Sequence, residues 1–181
     1  MYKGSNPTAL QSQQWIVESL IVLMKEKDYH KITIMDICKR ADLSRQTFYN
    51  VFQTKEEILR FCLQGKYVLQ FERLAQKESI TIQDIVEAFA LVIDEDKEVL
   101  QLMIANQLDG IIADEMSKCI SMFVTKFVKE AREDILPYSE ALLSGALSSL
   151  LVFWFRQEKK IAIEHIIQLI SDFLNGDLYD L

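Results

Sequence analysis

The fold is decided by residues 32–58, ITIMDICKRADLSRQTFYNVFQTKEEI. This stretch holds three hydroxyl side chains that can cap the start of a helix, those of Thr33, Ser44 and Thr54. Asp36 stands three residues after Thr33, which is the spacing of a capping box. Two short helices and the start of a longer one are therefore predicted in close succession. That order is typical of a helix-turn-helix.

The rest of the chain repeats its apolar residues with helical spacing. In the first such segment, Val17, Leu20, Ile21 and Met24 lie on one helical face. The predicted helices cover residues 8–27, 33–41, 44–52, 54–76, 81–94, 97–108, 111–134, 138–159 and 164–175. The helix-turn-helix motif then occupies about residues 33–52.

The composition favours an all-α protein of one or two domains. The 181 residues are 50% apolar and 26% charged, with only five Gly and two Pro. So few turn residues argue against many short strands. No two glycines stand close together, which excludes a glycine-rich phosphate loop. We predict an N-terminal three-helix helix-turn-helix DNA-binding domain at residues 1–60 and a C-terminal helical ligand-binding and dimerisation domain at residues 61–181.

Charge separates these two parts. Residues 1–60 carry nine Lys or Arg and seven Asp or Glu, whereas residues 61–181 carry eleven and twenty. Phosphate groups repel the acidic second part, so any nucleic acid should bind to the first sixty residues.

Hydrogen-bonding side chains gather at the start of the second short helix, where a recognition helix presents them to the major groove. Arg and Gln there can bond base edges, and nearby hydroxyl and ammonium groups can bond phosphates. The predicted DNA-binding residues are Thr33, Ser44, Arg45, Gln46, Thr47, Tyr49, Asn50 and Lys55. Phe48 and Phe52 are expected to pack inward and hold the two short helices together.

The same stretch resembles the DNA-binding domain of the TetR/AcrR family of bacterial transcriptional regulators. That family's pattern runs Thr-x-x-x-Ile-Ala-x-x-Ala-Gly-Val-Ser, then Tyr-x-x-Phe-x-x-Lys-Glu-x-Leu after a variable stretch. The positions that match it in order are Thr33, Ile37, Ala41, Leu43, Ser44, Tyr49, Phe52, Lys55, Glu56 and Ile58. Three positions depart from the family: Asp28 and Asp42 replace glycines, and Cys38 replaces an alanine. Asp tolerates left-handed backbone, so the turn at Asp42 is expected to survive.

The resemblance implies an all-helical homodimer that binds a palindromic operator in double-stranded DNA and senses a small-molecule effector. The late segment 144–155 is similar to the penultimate helix of many members, which joins the last helix in a four-helix dimer interface. The predicted interface residues are Leu147, Leu150, Leu151, Ile166 and Ile170.

An effector pocket should lie among the apolar residues of the second domain. The candidates are Phe71, Phe89, Met103, Gln107, Phe123, Phe127 and Trp154. Asn106 and Gln107 are polar within an apolar stretch, so they either orient a ligand or end a helix. Core packing is the competing interpretation for the aromatic residues.

No enzymatic, metal or cofactor site is indicated. The two histidines and three cysteines are widely spaced and form neither a ligand pattern nor a disulfide framework. No catalytic nucleophile motif is present. The longest uncharged stretch, residues 141–155, is shorter than the ~20 residues that a membrane-spanning helix needs. A cytoplasmic protein without a membrane partner is expected.

The sequence thus predicts a sequence-specific, ligand-responsive transcriptional regulator, most simply a repressor. The alternatives are a helical protein-interaction module, or a coactivator-dependent activator that reads DNA weakly. The acidic total charge is what favours these alternatives.

Overall fold

The computed structural model describes residue 2 and residues 4–127, 134–157 and 161–177. Within its helices, the side chains of Lys66, Tyr67, Phe71 and Phe127 are not described.

Nine α-helices and no strand make up the described ranges. The helices are α1 (Pro7–Glu26), α2 (Ile34–Ala41), α3 (Arg45–Val51), α4 (Lys55–Ala75), α5 (Ile82–Glu95), α6 (Lys97–Ala105), α7 (Asp109–Phe127), α8 (Leu136–Arg156) and α9 (Ile163–Asn175). The all-α prediction is confirmed. Helices α2 to α6 begin within one residue of their predicted starts. Helix α9 also begins within one residue of its predicted start, and Gly176 closes it as predicted.

Several predicted boundaries differ by two or three residues: α7 and α8 each begin two residues earlier than predicted, and α6 and α8 each end three residues earlier. The break expected after α1 is a short 3₁₀ turn, Tyr29–Lys31, capped by the carboxylate of Asp28. Helix α6 ends at Ala105, because Asn106 closes it and Gln107 adopts a left-handed backbone with φ 59°. Of the two alternatives for Asn106, the structure shows the helix end. The predicted end of α7, beyond residue 127, lies outside the described residues.

The first three helices share one core. Thr33 and Asp36 form the predicted capping box at the start of α2, and Ser44 caps α3. Phe48 and Phe52 are fully buried, as predicted, and pack with Ile37 in the central cluster. These contacts fix the angle between α2 and α3, which determines what α3 can present outward.

Helix α4 connects the two parts of the chain without interruption. The predicted boundary between residues 60 and 61 therefore falls inside a helix. Beyond it, α7 packs along α8 and against α4, while α9 packs against α5. A helical cluster is thus attached directly to the helix-turn-helix.

Asp42 ends α2 with a left-handed backbone, φ 54° and ψ 42°. A side chain at such a position carries steric strain that glycine avoids. We expect Asp42→Gly to raise the free energy of unfolding by about 0.5–1 kcal/mol. Asp42→Ala should lower it, because alanine lacks the local hydrogen bonding that helps Asp in this region. Urea unfolding of both variants checks the pair, and equal effects would contradict the strain.

Candidate nucleic-acid interface and adjoining sites

Helix α3 has two chemically different faces. Phe48 and Val51 are buried against α1 and α2. The opposite face exposes Arg45, Gln46, Tyr49 and Asn50, which we call the reading face. Its side chains offer a guanidinium fork, two amides and a phenol hydroxyl, the groups that bond base edges and phosphates. The buried face holds these groups on a rigid support.

Three predicted DNA-binding residues already have intramolecular hydrogen bonds. The hydroxyl of Ser44 accepts from the backbone amide of Thr47 at 3.0 Å and lies 2.8 Å from the Thr47 hydroxyl. The hydroxyl of Thr33 accepts from the amide of Asp36 at 3.1 Å. Ser44 and Thr33 therefore place the starts of α3 and α2, in addition to any contact that they make with DNA.

Lys55 faces inward in the described structure. Its ammonium donates to the carbonyls of Tyr29 at 2.7 Å and Ile32 at 3.0 Å, and lies 4.0 Å from the centre of the Tyr29 ring. Burial lowers the pKa of Lys55, although Glu56 and Asp28 oppose that effect. The sequence pattern did not reveal this role, because both acceptors are backbone atoms. Lys55 anchors the 3₁₀ turn, with one of its three N–H groups left for a phosphate.

Most cations among residues 1–60 are engaged inside the molecule. Arg40 makes a two-pronged contact with Glu26, at 2.7 and 2.8 Å. Lys27 pairs with Asp36 at 2.9 Å. Within the described part of this segment, the cations without an acidic or carbonyl partner are Lys31, Lys39 and Arg45. Arg45 is the member of this group that lies on the reading face.

The type of helix-turn-helix follows from a comparison of residues 16–61. This segment, which spans the helix-turn-helix, matches the sequence profile described as "Bacterial regulatory proteins, tetR family". Residues 16–61 thus form a helix-turn-helix segment of the tetR-family type. The helical fold of the described chain agrees with the fold of that family.

Two curated relatives resemble this chain. The transcriptional activator DhaS of the dhaKLM operon of Lactococcus lactis is 38% identical over 56 residues, which are 31% of this chain and 30% of DhaS. The transposon Tn10 TetC protein of Escherichia coli is 25% identical over 154 residues, covering 78% of this chain and 75% of TetC. The first likeness spans under a third of either chain.

Solved structures resemble nearly the whole molecule. The crystal structure of Lin0861 from Listeria innocua superposes with a TM-score of 0.78, over 97% of this chain and 96% of that chain. Only 16% of the residues are identical, so this likeness concerns the fold alone.

Two hydrogen-bonded joints connect the helix-turn-helix and α4 to the later helices, in addition to the ion pair between Lys25 and Glu98 at 2.6 Å. At the first, the backbone amide of Tyr29 donates to the side-chain oxygen of Asn106 at 2.8 Å, which ties the 3₁₀ turn to the end of α6. Tyr29 is 1% exposed and its hydroxyl donates to Glu56 at 3.0 Å. Burial and the nearby Glu56 carboxylate raise the pKa of Tyr29 well above its usual value. The phenol therefore stays neutral.

The second joint is a buried carboxylate on α7. Glu115 accepts hydrogen bonds from Arg60 at 2.8 Å, Gln64 at 2.7 Å and Lys118 at 2.6 Å. Its side chain is only 1% exposed. Burial by itself would raise the pKa of Glu115, but these three donors outweigh it and hold the pKa below the usual range. Arg60 and Gln64 belong to α4, so an ionised Glu115 fastens α7 to that helix.

An apolar cavity of about 200 Å³ lies among α4, α5, α7, α8 and α9. Two predicted pocket residues, Phe89 and Phe123, line it. The other lining residues were not among the predicted pocket residues, since most are apolar residues with ordinary helical spacing, and two of them, Leu147 and Ile170, were predicted at the dimer interface instead. These other lining residues are Gln70, Leu74, Ile85, Val86, Ala88, Val92, Met116, Cys119, Ile120, Val124, Leu143, Leu147, Ile170 and Leu174.

Three predicted pocket residues lie elsewhere. Met103 is fully buried in the central core. Gln107 is exposed at the turn between α6 and α7. Trp154 donates its indole N–H to the carbonyl of Ile161 at 2.8 Å, beyond the cavity. The side chains of Phe71 and Phe127, also predicted, lie outside the described residues.

Three of the five predicted dimer residues need correction, and the other two stay predictions. Leu151, Ile166 and Ile170 are 2%, 4% and 3% exposed within the single chain, so they belong to its own core. Leu147 and Leu150 are half-buried and pack against that core. Helical periodicity identified apolar faces without showing which of them the chain itself covers.

A different face of α8 is exposed. Tyr138, Leu142, Gly145, Ser149 and Phe153 follow one another at steps of three or four residues, and we call this row the outer stripe. Its three large side chains are 76%, 66% and 64% exposed. The two small residues between them leave room for a neighbouring helix. Exposed apolar rows of this kind mark interaction surfaces.

Helix α9 adds further exposed apolar area. Leu169 and Phe173 are 37% and 42% exposed and stand one turn apart. By length and composition, α8 is also able to cross a membrane, with 21 residues and a mean hydropathy of 1.3. A single such helix is weak evidence, because core helices pass the same test. Across the described ranges, no three His, Cys, Asp or Glu side chains form a group that could hold a metal ion.

Proposed function

We propose that this chain is a transcriptional regulator of the tetR family, a cytoplasmic, ligand-responsive homodimer that binds a palindromic DNA operator through residues 1–60. Residues 61–181 would supply the dimer contact and the effector site. The observation that carries the proposal is the reading face. It is exposed, lies opposite a buried apolar face, and contains Arg45, whose guanidinium has no acidic or carbonyl partner among the described residues.

The residues of the reading face divide by chemistry. Arg45 and Gln46 have planar, multiple-donor ends that suit two-pronged contacts with base edges. Tyr49 is 40% exposed, with its ring held edge-on to Phe48 at 5.5 Å, so its hydroxyl is positioned for a phosphate. Ser44, Thr47 and Thr33 orient the starts of α3 and α2, Asn50 lies near the end of α3, and Lys55 begins α4.

A second copy of the chain is proposed to cover the outer stripe. In a two-fold dimer the outer stripe of one subunit packs against the outer stripe of the other. Each apolar residue of the stripe is therefore buried in both subunits. Two α3 helices placed about 34–36 Å apart would then enter successive major grooves of B-DNA. The inverted repeat of the operator follows from this symmetry.

The effector would act by shifting the balance between dimer states. Met116, which lines the cavity, directly follows Glu115, which fastens α7 to α4. A molecule in the cavity therefore contacts α7 next to the residue that joins α7 to α4, and α4 continues into the DNA-binding domain. Such a molecule changes operator affinity only as far as it prefers one state over the other.

The direction of regulation has two candidates. Release from the operator upon effector binding makes the protein a repressor, which we take as the first proposal. DhaS is a transcriptional activator and is 38% identical to this chain over 56 residues. Activation is therefore the second candidate, and transcription from a promoter next to the selected operator distinguishes the two.

The test is selection of genomic fragments by the purified protein at roughly physiological salt. We expect one short inverted repeat to be enriched. Arg45→Ala should weaken its binding by about 1–3 kcal/mol and relax discrimination at one base position of each half-site. Lys97→Ala removes an exposed cation from α6 and should leave the selection unchanged.

Three results would count against the proposal. Equal weakening by Arg45→Ala on every sequence would show that Arg45 touches phosphate alone. Unchanged binding by Arg45→Ala and Tyr49→Ala together would remove the reading face from the site. No enrichment, both before and after refolding to strip any bound molecule, would favour a helical interaction protein that does not read DNA.

A further inference from the structure

The cavity among α4, α5, α7, α8 and α9 is lined almost entirely by apolar side chains. Its described lining residues carry no charged side chain. Cys119 is present, but burial raises the pKa of its thiol to about 12, so the sulfur stays protonated at neutral pH. A charged ligand would lose its hydration here without gaining a counter-charge. The lining therefore selects uncharged molecules.

One polar group interrupts this apolar lining. Gln70 lines the cavity and is 5% exposed, and its amide nitrogen Nε2 is buried with no hydrogen-bond partner. Its oxygen accepts a long contact of 3.4 Å from Arg73. A guanidinium only donates, so this contact places the oxygen toward Arg73 and leaves the NH₂ group free. A buried donor without a partner is costly unless something fills that role.

The cavity volume limits the size of the molecule. An apolar cavity of about 150 Å³ accommodates benzene. By proportion, about 200 Å³ accommodates roughly eight or nine non-hydrogen atoms. This is the size of a single substituted ring or a short branched chain.

We propose that the cavity binds an uncharged, mainly apolar molecule of this size whose polar atom is a hydrogen-bond acceptor, such as a ketone or ester oxygen, paired with Gln70 Nε2. The inference rests on the proposed function, because it names the chemical class of the effector. The acceptor satisfies the free amide donor, and the rest of the molecule fills the apolar lining.

Three probes of equal size and similar shape test the chemistry. Acetophenone has a carbonyl acceptor, α-methylstyrene has a methylene group in its place, and benzoate has a carboxylate. Each is titrated into the full-length protein without DNA, and binding is followed by calorimetry and by protein NMR shifts. We expect acetophenone to bind, and benzoate to show no binding at the concentrations that saturate with acetophenone.

The comparison of variants isolates Gln70. We expect Gln70→Leu to reduce the preference for acetophenone over α-methylstyrene by about tenfold, the value of one buried hydrogen bond. Gln101→Leu makes the same change at an exposed position of α6 and should leave the preference unaltered. Ala88→Leu narrows the cavity and should weaken both neutral probes, which shows that they bind inside it.

The proposal fails if Gln70→Leu leaves the preference unchanged, if benzoate binds as well as acetophenone, or if neither neutral probe binds. None of these measurements involves DNA. A protein that binds acetophenone through Gln70 but selects no operator would contradict the proposed function and leave the cavity assignment standing. The reverse result would contradict the cavity assignment alone.

Discussion

Glu115→Ala is expected to lower the free energy of unfolding by about 3 kcal/mol at neutral pH. The carboxylate is buried and receives hydrogen bonds from Arg60, Gln64 and Lys118. Removing it leaves the Gln64 amide and one N–H group of Arg60 without their buried acceptor, whereas Arg60 keeps Asp114 and the ammonium of Lys118 is open to water. Urea unfolding at constant salt, followed by circular dichroism, measures the loss.

Asp114→Ala provides the matched control. Asp114 also bonds Arg60, at 2.8 Å, but its side chain is 59% exposed. Exposed ion pairs contribute less than about 1 kcal/mol, so this variant should be close to the parent protein. If both variants lose a similar amount of unfolding free energy, the pairing of Arg60, and not the burial of Glu115, accounts for the stability of this joint.

The contribution of Glu115 to the free energy of unfolding should decrease as the pH falls. Its pKa lies below the usual value in the folded chain, so in acid the unfolded chain binds the proton more readily. The stabilisation is complete above the ordinary glutamate pKa of about 4.3 and is lost as the pH falls through the lower folded pKa. The difference in stability between the parent and Glu115→Gln should therefore shrink below about pH 4. A difference that grows on acidification would contradict the assignment.

Phe153→Glu is expected to convert the proposed dimer into monomers. Phe153 is 64% exposed in the single chain, so the substitution does not disturb its core. In a two-fold dimer the change occurs twice, and each lost aromatic contact costs about 1.5–3 kcal/mol. The dimer dissociation constant should rise roughly 100- to 10 000-fold. Analytical ultracentrifugation over a range of concentrations measures this shift.

Loss of the dimer should also weaken operator binding. We expect the affinity of Phe153→Glu for the operator to fall on the order of 1000-fold, toward the level of non-specific DNA binding. Leu91→Glu is the matched control, because Leu91 is a 46% exposed apolar residue on α5, outside the outer stripe. A dimer that persists in Phe153→Glu would remove the outer stripe from the interface. Monomers in both variants, or a parent protein that partitions into lipid vesicles, would point to a different partner for α8.

The local features of the helix-turn-helix were predictable because they depend on neighbouring residues. Capping by Thr33 and Ser44 follows from spacing alone, and so does the inward orientation of Phe48 and Phe52. The left-handed turn at Asp42 was anticipated from its residue type. Each involves atoms within a few residues of chain, where backbone geometry leaves few choices.

The prediction of Lys55 shows where such reasoning stops. Its position at the start of α4 matched a phosphate anchor, yet its ammonium bonds the carbonyls of Tyr29 and Ile32, more than twenty residues earlier. Every residue has a backbone carbonyl, so residue types do not indicate which carbonyl a distant side chain will bond. The same holds for Asn106, whose oxygen bonds the amide of Tyr29 across 77 residues.

The all-α class, the helix-turn-helix and its outward residues were predictable from the sequence, because capping, periodicity and residue type act locally. Which apolar faces the chain covers became visible in the packing of its helices. Leu151 and Ile170 lie in the core and Phe153 lies outside, although all three stand on apolar helices. The packing angles of α5, α7, α8 and α9 also left the cavity beside Gln70. A helix has the same periodicity whichever neighbour it meets, so burial depends on where distant segments pack.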